Sequence, residues 1–164
     1  MVATMEASLS CAANIIQENI GIDVSKIPMG GSAGGTAAGI FSLLSGTLSP
    51  GGATIAMIIN LEDYVRWADL VLIGEGRIDS QTLFDKGPLI VARMAAQFGV
   101  PVLAVGGSIT AGSRGLYSQG VKMMTAVSPK YQLNQGALPA MQSSIGSATY
   151  RVVKRWAARG LKGN

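Results

Sequence analysis

An α/β fold built on a parallel sheet is what this sequence predicts, and three features carry the prediction. Short, largely apolar runs at Asp69–Ile73, Pro101–Val105 and Val121–Val127 have the composition of strands buried on both faces. Between the first two, Pro88 suits the first turn of a helix running to about Phe98, and Gly99 closes it. Two of the runs stop abruptly at glycines, Gly74 and the Gly106-Gly107-Ser108 turn, as strands feeding ligand-facing loops do. Strands alternating with helices give parallel pairing with right-handed crossovers, the Rossmann-like arrangement. Three strands are few for such a sheet, so the expectation is a partial Rossmann-like parallel sheet flanked by helices.

The remaining elements follow from periodicity. Met5, Leu9, Ala12, Ala13, Ile16 and Ile20 recur at helical spacing, with Gly21 as the stop. Pro28-Met29-Gly30-Gly31-Ser32-Ala33-Gly34-Gly35 is a glycine-rich loop leading into a helix of small and apolar residues, Thr36 to Leu44. Ala53 to Ile59 suits either a short strand or a buried helix, because periodicity does not separate the two at that length. Leu138 to Arg159 is a long final helix with Leu138, Met141, Ile145, Ala148 and Val152 on one face.

Composition narrows the chemistry. The chain has 164 residues, 48% of them hydrophobic and 13% charged, which gives one ordinary domain's worth of core and excludes disorder. It contains no histidine. Phosphohistidine transfer, histidine general bases, Ser-His-Asp triads and most catalytic zinc sites are thereby excluded. The single Cys11 makes no internal disulfide, suits a reducing, cytoplasmic compartment, and is expected as a packed small residue. The first residues carry Glu6 and no basic segment, so no signal peptide is expected. Ile27 to Leu61 is free of charge, but its glycines and Pro50 cut it into pieces too short to span a bilayer.

Charge is divided unevenly. All nine acidic residues lie in residues 1–85, with only Lys26, Arg66 and Arg77 against them, whereas residues 86–164 hold ten bases and no acid. Arg151, Lys154, Arg155, Arg159 and Lys162 gather on the last helix. Such a face attracts phosphates or nucleic acid, or is simply solvated. No recognition motif or aromatic interleaving accompanies it, so nucleic-acid binding is not expected.

The richest chemistry follows the first strand. Leu70-Val71-Leu72-Ile73-Gly74-Glu75-Gly76-Arg77-Ile78-Asp79-Ser80-Gln81-Thr82 passes from an apolar run to two carboxylates, a guanidinium and three hydrogen-bonding groups. Gly74 and Gly76 bracket Glu75 and permit close approach of backbone to a ligand. Phosphoryl transfer needs cations or N–H groups for phosphate, carboxylates for Mg²⁺ and a base for the acceptor hydroxyl. Glu75 and Asp79 are able to hold Mg²⁺ or accept a proton; Arg77 and Lys86 are able to bind phosphate or a substrate carboxylate. The alternative is an ordinary strand exit with a surface ion pair. Residues 28–35 offer a second cradle, with Gly30, Gly31, Ser32 and Gly34 supplying N–H groups ahead of a helix. No Lys-Ser/Thr follows as in a Walker A loop, and packing of small residues is an equal reading. Gly107 and Ser108 form a third candidate at the end of the second strand.

Residues 69–82 resemble the signature of the bacterial type I glycerate kinases, and the likeness continues through Lys86, Pro88, Val91-Ala92 and Pro101-Val102. It extends back to residues 28–35, which are similar to that family's Pro-Gly-Ala-Gly-type loop, and covers roughly residues 5–128. The resemblance implies ATP-dependent, Mg²⁺-assisted phosphorylation of D-glycerate in a cleft between two α/β domains. Residues 1–60 would then be the C-terminal part of the second, inserted α/β domain and residues 61–164 that of the Rossmann-like domain. Carried over by position, the resemblance implies that the Glu75, Arg77 and Asp79 loop, Lys86 and the glycine-rich loop line that cleft. The individual roles are our own expectation: Glu75, Arg77, Asp79 and Lys86 catalytic, Glu75 and Asp79 also toward the metal, and Gly30, Gly31, Ser32, Gly34, Gly74, Gly76, Gly107 and Ser108 toward the nucleotide. Asp85 and Ile90 occupy positions that are glycine in the family, and the last helix lacks the family's acidic residues. Family members are also longer, and the chain matches their C-terminal portion. An unpaired sheet edge is therefore expected, to be covered by a complementing N-terminal segment or a second copy. A non-catalytic module pairing with another chain is the alternative function.

Overall fold

The computed structural model describes residues 2–83, 86–127 and 138–160, with the backbone alone at residues 2 and 138–140. The chain divides into two compact units, residues 1–54 and 55–164.

In the first unit, α1 (Val2–Ile20) ends where Gly21 adopts φ +79°, a conformation glycine takes without steric cost. Asp23 caps a single 3-10 turn, Val24–Lys26. The glycine-rich loop then enters α2 (Thr36–Leu44) through Gly35 at φ +88°. A side chain on Gly35 would also meet Leu9 of α1, its Cβ falling 2.7 Å from Leu9 Cδ2. Cys11 is exposed on α1, so the expectation of a packed small residue fails. Its helix is largely exposed, Met5 and Ile15 included.

Ambiguous Ala53–Ile59 is helical: α3 spans Gly51–Ile58 and crosses the boundary between the units. A helix not anticipated from periodicity, α4 (Leu61–Trp67), follows. Its signal is electrostatic, with Glu62 and Asp63 in the first turn and Arg66 in the last, each favourable to the helix dipole. Only Val65 on it is buried. Arg66 pairs with Glu62 at 2.7 Å and lies 4.2 Å above the Phe98 ring.

The second unit holds a three-stranded parallel sheet in the order β1 (Val71–Ile78), β2 (Val102–Ile109), β3 (Val121–Ala126). Helix α5 (Gly87–Gln97) joins β1 to β2, a 3-10 segment (Ala111–Gln119) joins β2 to β3, and α6 (Leu138–Gly160) follows. Central β2 is buried on both faces: Val102, Leu103 and Ala104 are fully buried. One face packs Ile73, Val102, Ala104 and Val121 against Leu89, Ala92 and Ala95 of α5 and Val65 of α4. The other packs Leu103 and Val105 against Ala148 and Val152 of α6. Ile90, at a family glycine position, sits inside α5 with a negative φ, so a β-branched side chain is accommodated there.

The strand ends depart from the sequence expectation. The first strand does not stop at Ile73, nor the second at Val105; their ladder continues through Glu75↔Gly106 and Arg77↔Ser108 to Ile78↔Ile109. Backbone pairing is indifferent to side-chain polarity, and glycines on both strands let them close together. An added Cβ on Gly107 would lie 2.4 Å from the Gly76 carbonyl oxygen. Ile73 and Ile78 both bury in the α5-side core although they differ in parity. Strict alternation would separate them, yet the β1–β2 register keeps the same offset from Val71↔Val102 to Ile78↔Ile109, so the change of face occurs without a slip in pairing.

Candidate functional site

Five of the residues singled out from sequence converge. Gly74, Glu75 and Gly76 of β1 and Gly107 and Ser108 of β2 line one cavity of about 680 Å³ on the α6 side of the sheet. Its far wall is Met141, Ile145 and Thr149, spaced four residues apart on one face of α6. Sequence reasoning placed Met141 and Ile145 on a core face with Ala148 and Val152. Only the latter two are buried; Ile145 is 44% exposed and faces the cavity. Thr149 was missed, and its four-residue spacing from Ile145 is the signal that could have found it. Leu138, expected on that face, has its side chain outside the described residues.

The polar segment beyond Glu75 divides into two kinds of group. Arg77 and Asp79 form an ion pair, Nε to Oδ2 at 3.2 Å, with side chains 67% and 19% exposed. Asp79 Oδ1 accepts the Gln81 N–H at 2.8 Å. The Asp79 N–H donates to Thr82 Oγ1 at 3.2 Å, and the Thr82 N–H donates back to the Asp79 carbonyl at 3.1 Å. Thr82, expected to offer its hydroxyl to a ligand, is 1% exposed and turned into this 3-10 turn, Ser80–Leu83. Glu75 is half-buried, and its carboxylate has no hydrogen-bond or ion-pair partner among the described residues. Lys86 is exposed at the N-terminus of α5, where its carbonyl accepts from Leu89 and Ile90. Asp85 lies outside the described residues.

In the first unit the glycine-rich loop bonds chiefly to itself. Gly30, Ser32 and Gly35 N–H groups reach loop carbonyls, and the N–H groups of Thr36, Ala37 and Ala38, at the start of α2, reach Ala33, Ser32 and Gly30. The helix start is thus already satisfied by its own loop. Among the described residues, the N–H groups of Gly31, Ala33 and Gly34 make no backbone hydrogen bond. Gly30 packs too tightly on Ile27 to carry a side chain. Of the expected cradle, Gly31 and Gly34 keep free donors, and Gly30 and Ser32 spend theirs locally.

Among the described residues no three acidic, cysteine or histidine side chains gather as a metal cage. Of the two expected carboxylates, Glu75 has no partner among the described residues, while each oxygen of Asp79 already has one and keeps further lone pairs. Mg²⁺ is commonly held by one or two carboxylates together with substrate phosphates, and that arrangement remains compatible. No helix among the described residues is long and apolar enough to cross a membrane.

A parallel α/β unit with glycine-flanked polar residues along the ends of β1 and β2 is the class this geometry defines. The family follows from comparison: the model of the glycerate kinase family matches residues 1–157, and the chain belongs to that family. It is 37% identical over 146 residues to a glycerate kinase of Halalkalibacterium halodurans, covering 88% of this chain and 38% of the relative. A glycerate 2-kinase of Escherichia coli is 36% identical over 110 residues, 67% of this chain and 29% of that protein. A crystal structure of a protein assigned as glycerate kinase 2 from Salmonella typhimurium LT2 superposes with a TM-score of 0.66 at 30% identity, covering 95% of this chain and 40% of that one. The chain spans about two fifths of the length of these relatives or less, and corresponds to their C-terminal part.

Proposed function

We propose that this chain is the C-terminal part of an ATP-dependent glycerate kinase, which transfers a phosphoryl group to a hydroxyl of D-glycerate. Family membership supports kinase chemistry and nucleotide use. The observation that carries the reading to these residues is the convergence of Gly74, Glu75, Gly76, Gly107 and Ser108 on one cavity wall, with Arg77 next along the strand. In this reading residues 1–60 belong to the inserted α/β domain and residues 61–164 to the Rossmann-like domain.

Transfer through a loose, charge-rich transition state is promoted mainly by positioning and neutralisation. Arg77 and Lys86 supply fixed positive charge for phosphate or for the glycerate carboxylate. Glu75 accepts the hydroxyl proton or ligates the cation, and Ser108 offers a hydroxyl from the same cavity wall. Mg²⁺, bound with ATP, would neutralise the polyphosphate. The working compartment in this reading is the cytoplasm.

ADP release dependent on both ATP and D-glycerate tests the proposal, measured on the chain alone and with the N-terminal part of a relative added as a separate polypeptide. Turnover in either case supports it. No turnover in both, with the added polypeptide folded and bound, refutes it for this chain. One observation favours a second reading as a pairing module: among the described residues β1 pairs only with β2, which leaves its other edge open.

A further inference from the structure

Two carboxylates stand four residues apart around Arg77, and the sequence treats them alike. Their surroundings do not. Asp79 has one carboxylate oxygen on the Gln81 N–H and the other on the Arg77 guanidinium, while its backbone N–H and carbonyl are both bonded to Thr82. Thr82 is buried, so the turn that Asp79 closes is anchored in the protein interior. Glu75 lines the cavity without a partner among the described residues.

From this we infer that Asp79 is a positioning residue that aims the Arg77 guanidinium at an anionic ligand, and that Glu75 is the carboxylate of this segment left to touch that ligand or its cation. An ion pair whose arginine is 67% exposed contributes little to stability. Its consequence is directional. A guanidinium carries five N–H donors in a fixed fork, and Asp79 occupies the Nε side. The two Nη groups have no partner among the described residues, and with the Nε edge facing Asp79 theirs is the edge left to take a carboxylate or phosphate in a bidentate manner. A long, exposed side chain would otherwise lose rotamer freedom on binding; Asp79 fixes it beforehand. The identity of the ligand, glycerate or the nucleotide's phosphates, rests on the kinase reading; the positioning of Arg77 does not.

The test has a ligand-free arm and a binding arm, both on the full chain. Nitrogen-15 spectra of the arginine Nε–H groups are recorded for the unsubstituted protein, Asp79→Asn and Asp79→Glu. Asp79→Asn keeps an oxygen for the Gln81 N–H and removes the charge facing Arg77, so the turn survives. The Arg77 Nε–H signal should stand apart from the exposed arginines in the unsubstituted protein, collapse toward them in Asp79→Asn, and recover in part in Asp79→Glu. An Arg77 signal unmoved by Asp79→Asn overturns the inference.

Dissociation constants for pyrophosphate, D-glycerate and Mg²⁺-ATP are then measured for Arg77→Ala, Asp79→Asn, the double variant and Glu75→Gln. Arg77→Ala should weaken binding about tenfold or more, the scale of a lost charge-assisted hydrogen bond. Asp79→Asn should weaken it on the unsubstituted background and add nothing on the Arg77→Ala background. Glu75→Gln should multiply with Arg77→Ala, since it acts independently. Equal losses from Asp79→Asn on both backgrounds would overturn positioning through Arg77, as would an Arg77 signal that no anion moves. Pyrophosphate binding that depends on Asp79, with D-glycerate and Mg²⁺-ATP inert, would sink the kinase reading and leave the positioning intact.

Discussion

Gly107→Ala should destabilise the second unit measurably, whereas Gly76→Ala, directly across the ladder, should not. The new Cβ at Gly107 would fall 2.4 Å from the Gly76 carbonyl oxygen. Carbon–oxygen contacts between strands settle near 3.3–3.6 Å, so β1 and β2 must part by about 1 Å. Backbone cannot rotate out of the way as a side-chain end does. Overpacking of this kind costs about 1–3 kcal/mol. For the roughly 110-residue second unit, an unfolding entropy of about 2.1 cal/mol/K per residue converts that to a fall in Tm of about 4–13 °C. A Cβ at Gly76 meets nothing within 4 Å, so Tm should move by no more than about 2 °C, the scale of an exposed substitution. The same methyl would protrude where Gly76 lines the cavity, and ligand binding should fall although the fold is intact. Circular dichroism melts and titration with Mg²⁺-ATP check both halves. A Gly107→Ala protein melting within 2 °C of the unsubstituted one would refute the close approach of the strands. Unchanged binding in Gly76→Ala would refute the glycine wall as a ligand surface.

Leu89→Ala, at a fully buried position between α5 and the sheet, should cost about 2–5 kcal/mol in a denaturant titration. Thr82→Val keeps the shape of the turn but strands the Asp79 N–H, and should cost about 1–3 kcal/mol with a change in the Arg77 Nε–H signal. The Ser25 hydroxyl, Lys26 and the Ser25 N–H hold the Asp23 carboxyl down at about 2, from an ordinary value of 3.8. A depressed folded-state value favours folding above the unfolded pKa, and that contribution fades as pH falls from about 4 toward 2. Carboxyl NMR should place its midpoint near 2, and Ser25→Ala should raise it.

Apolar runs announced β1, β2 and β3, because strands buried on both faces must be apolar whatever surrounds them. Their ends were not legible. Glu75 and Arg77 look like loop residues, yet they lie within a ladder whose hydrogen bonds come from the backbone, and only the partner strand's Gly106-Gly107-Ser108 decides that it continues. The α4 helix escaped periodicity because one buried residue, Val65, makes no stripe; its charges at either end were the readable sign. Residue types at the candidate site were legible and their division of labour was not. Nothing in the string Glu-Gly-Arg-Ile-Asp says that one carboxylate closes a turn and the other faces a cavity.

The open edge of β1 leads to the last prediction. Parallel strands are normally covered on both faces and flanked on both sides, because their side chains are apolar throughout. Here only central β2 meets that condition; β1 and β3 each have one strand partner among the described residues, and β1 also leaves Leu72 48% exposed. A row of unpaired backbone groups beside exposed leucine is a surface that recruits another strand. Light scattering after size-exclusion chromatography should therefore show a species larger than one chain. Leu72→Lys, which sets a charge beside that edge and touches none of the buried α5-side core, should shift it toward the monomer without lowering Tm. A protein that is monomeric before the substitution, and stable as such, would mean that β1 tolerates its free edge. Pairing would then need a cause other than the sheet itself.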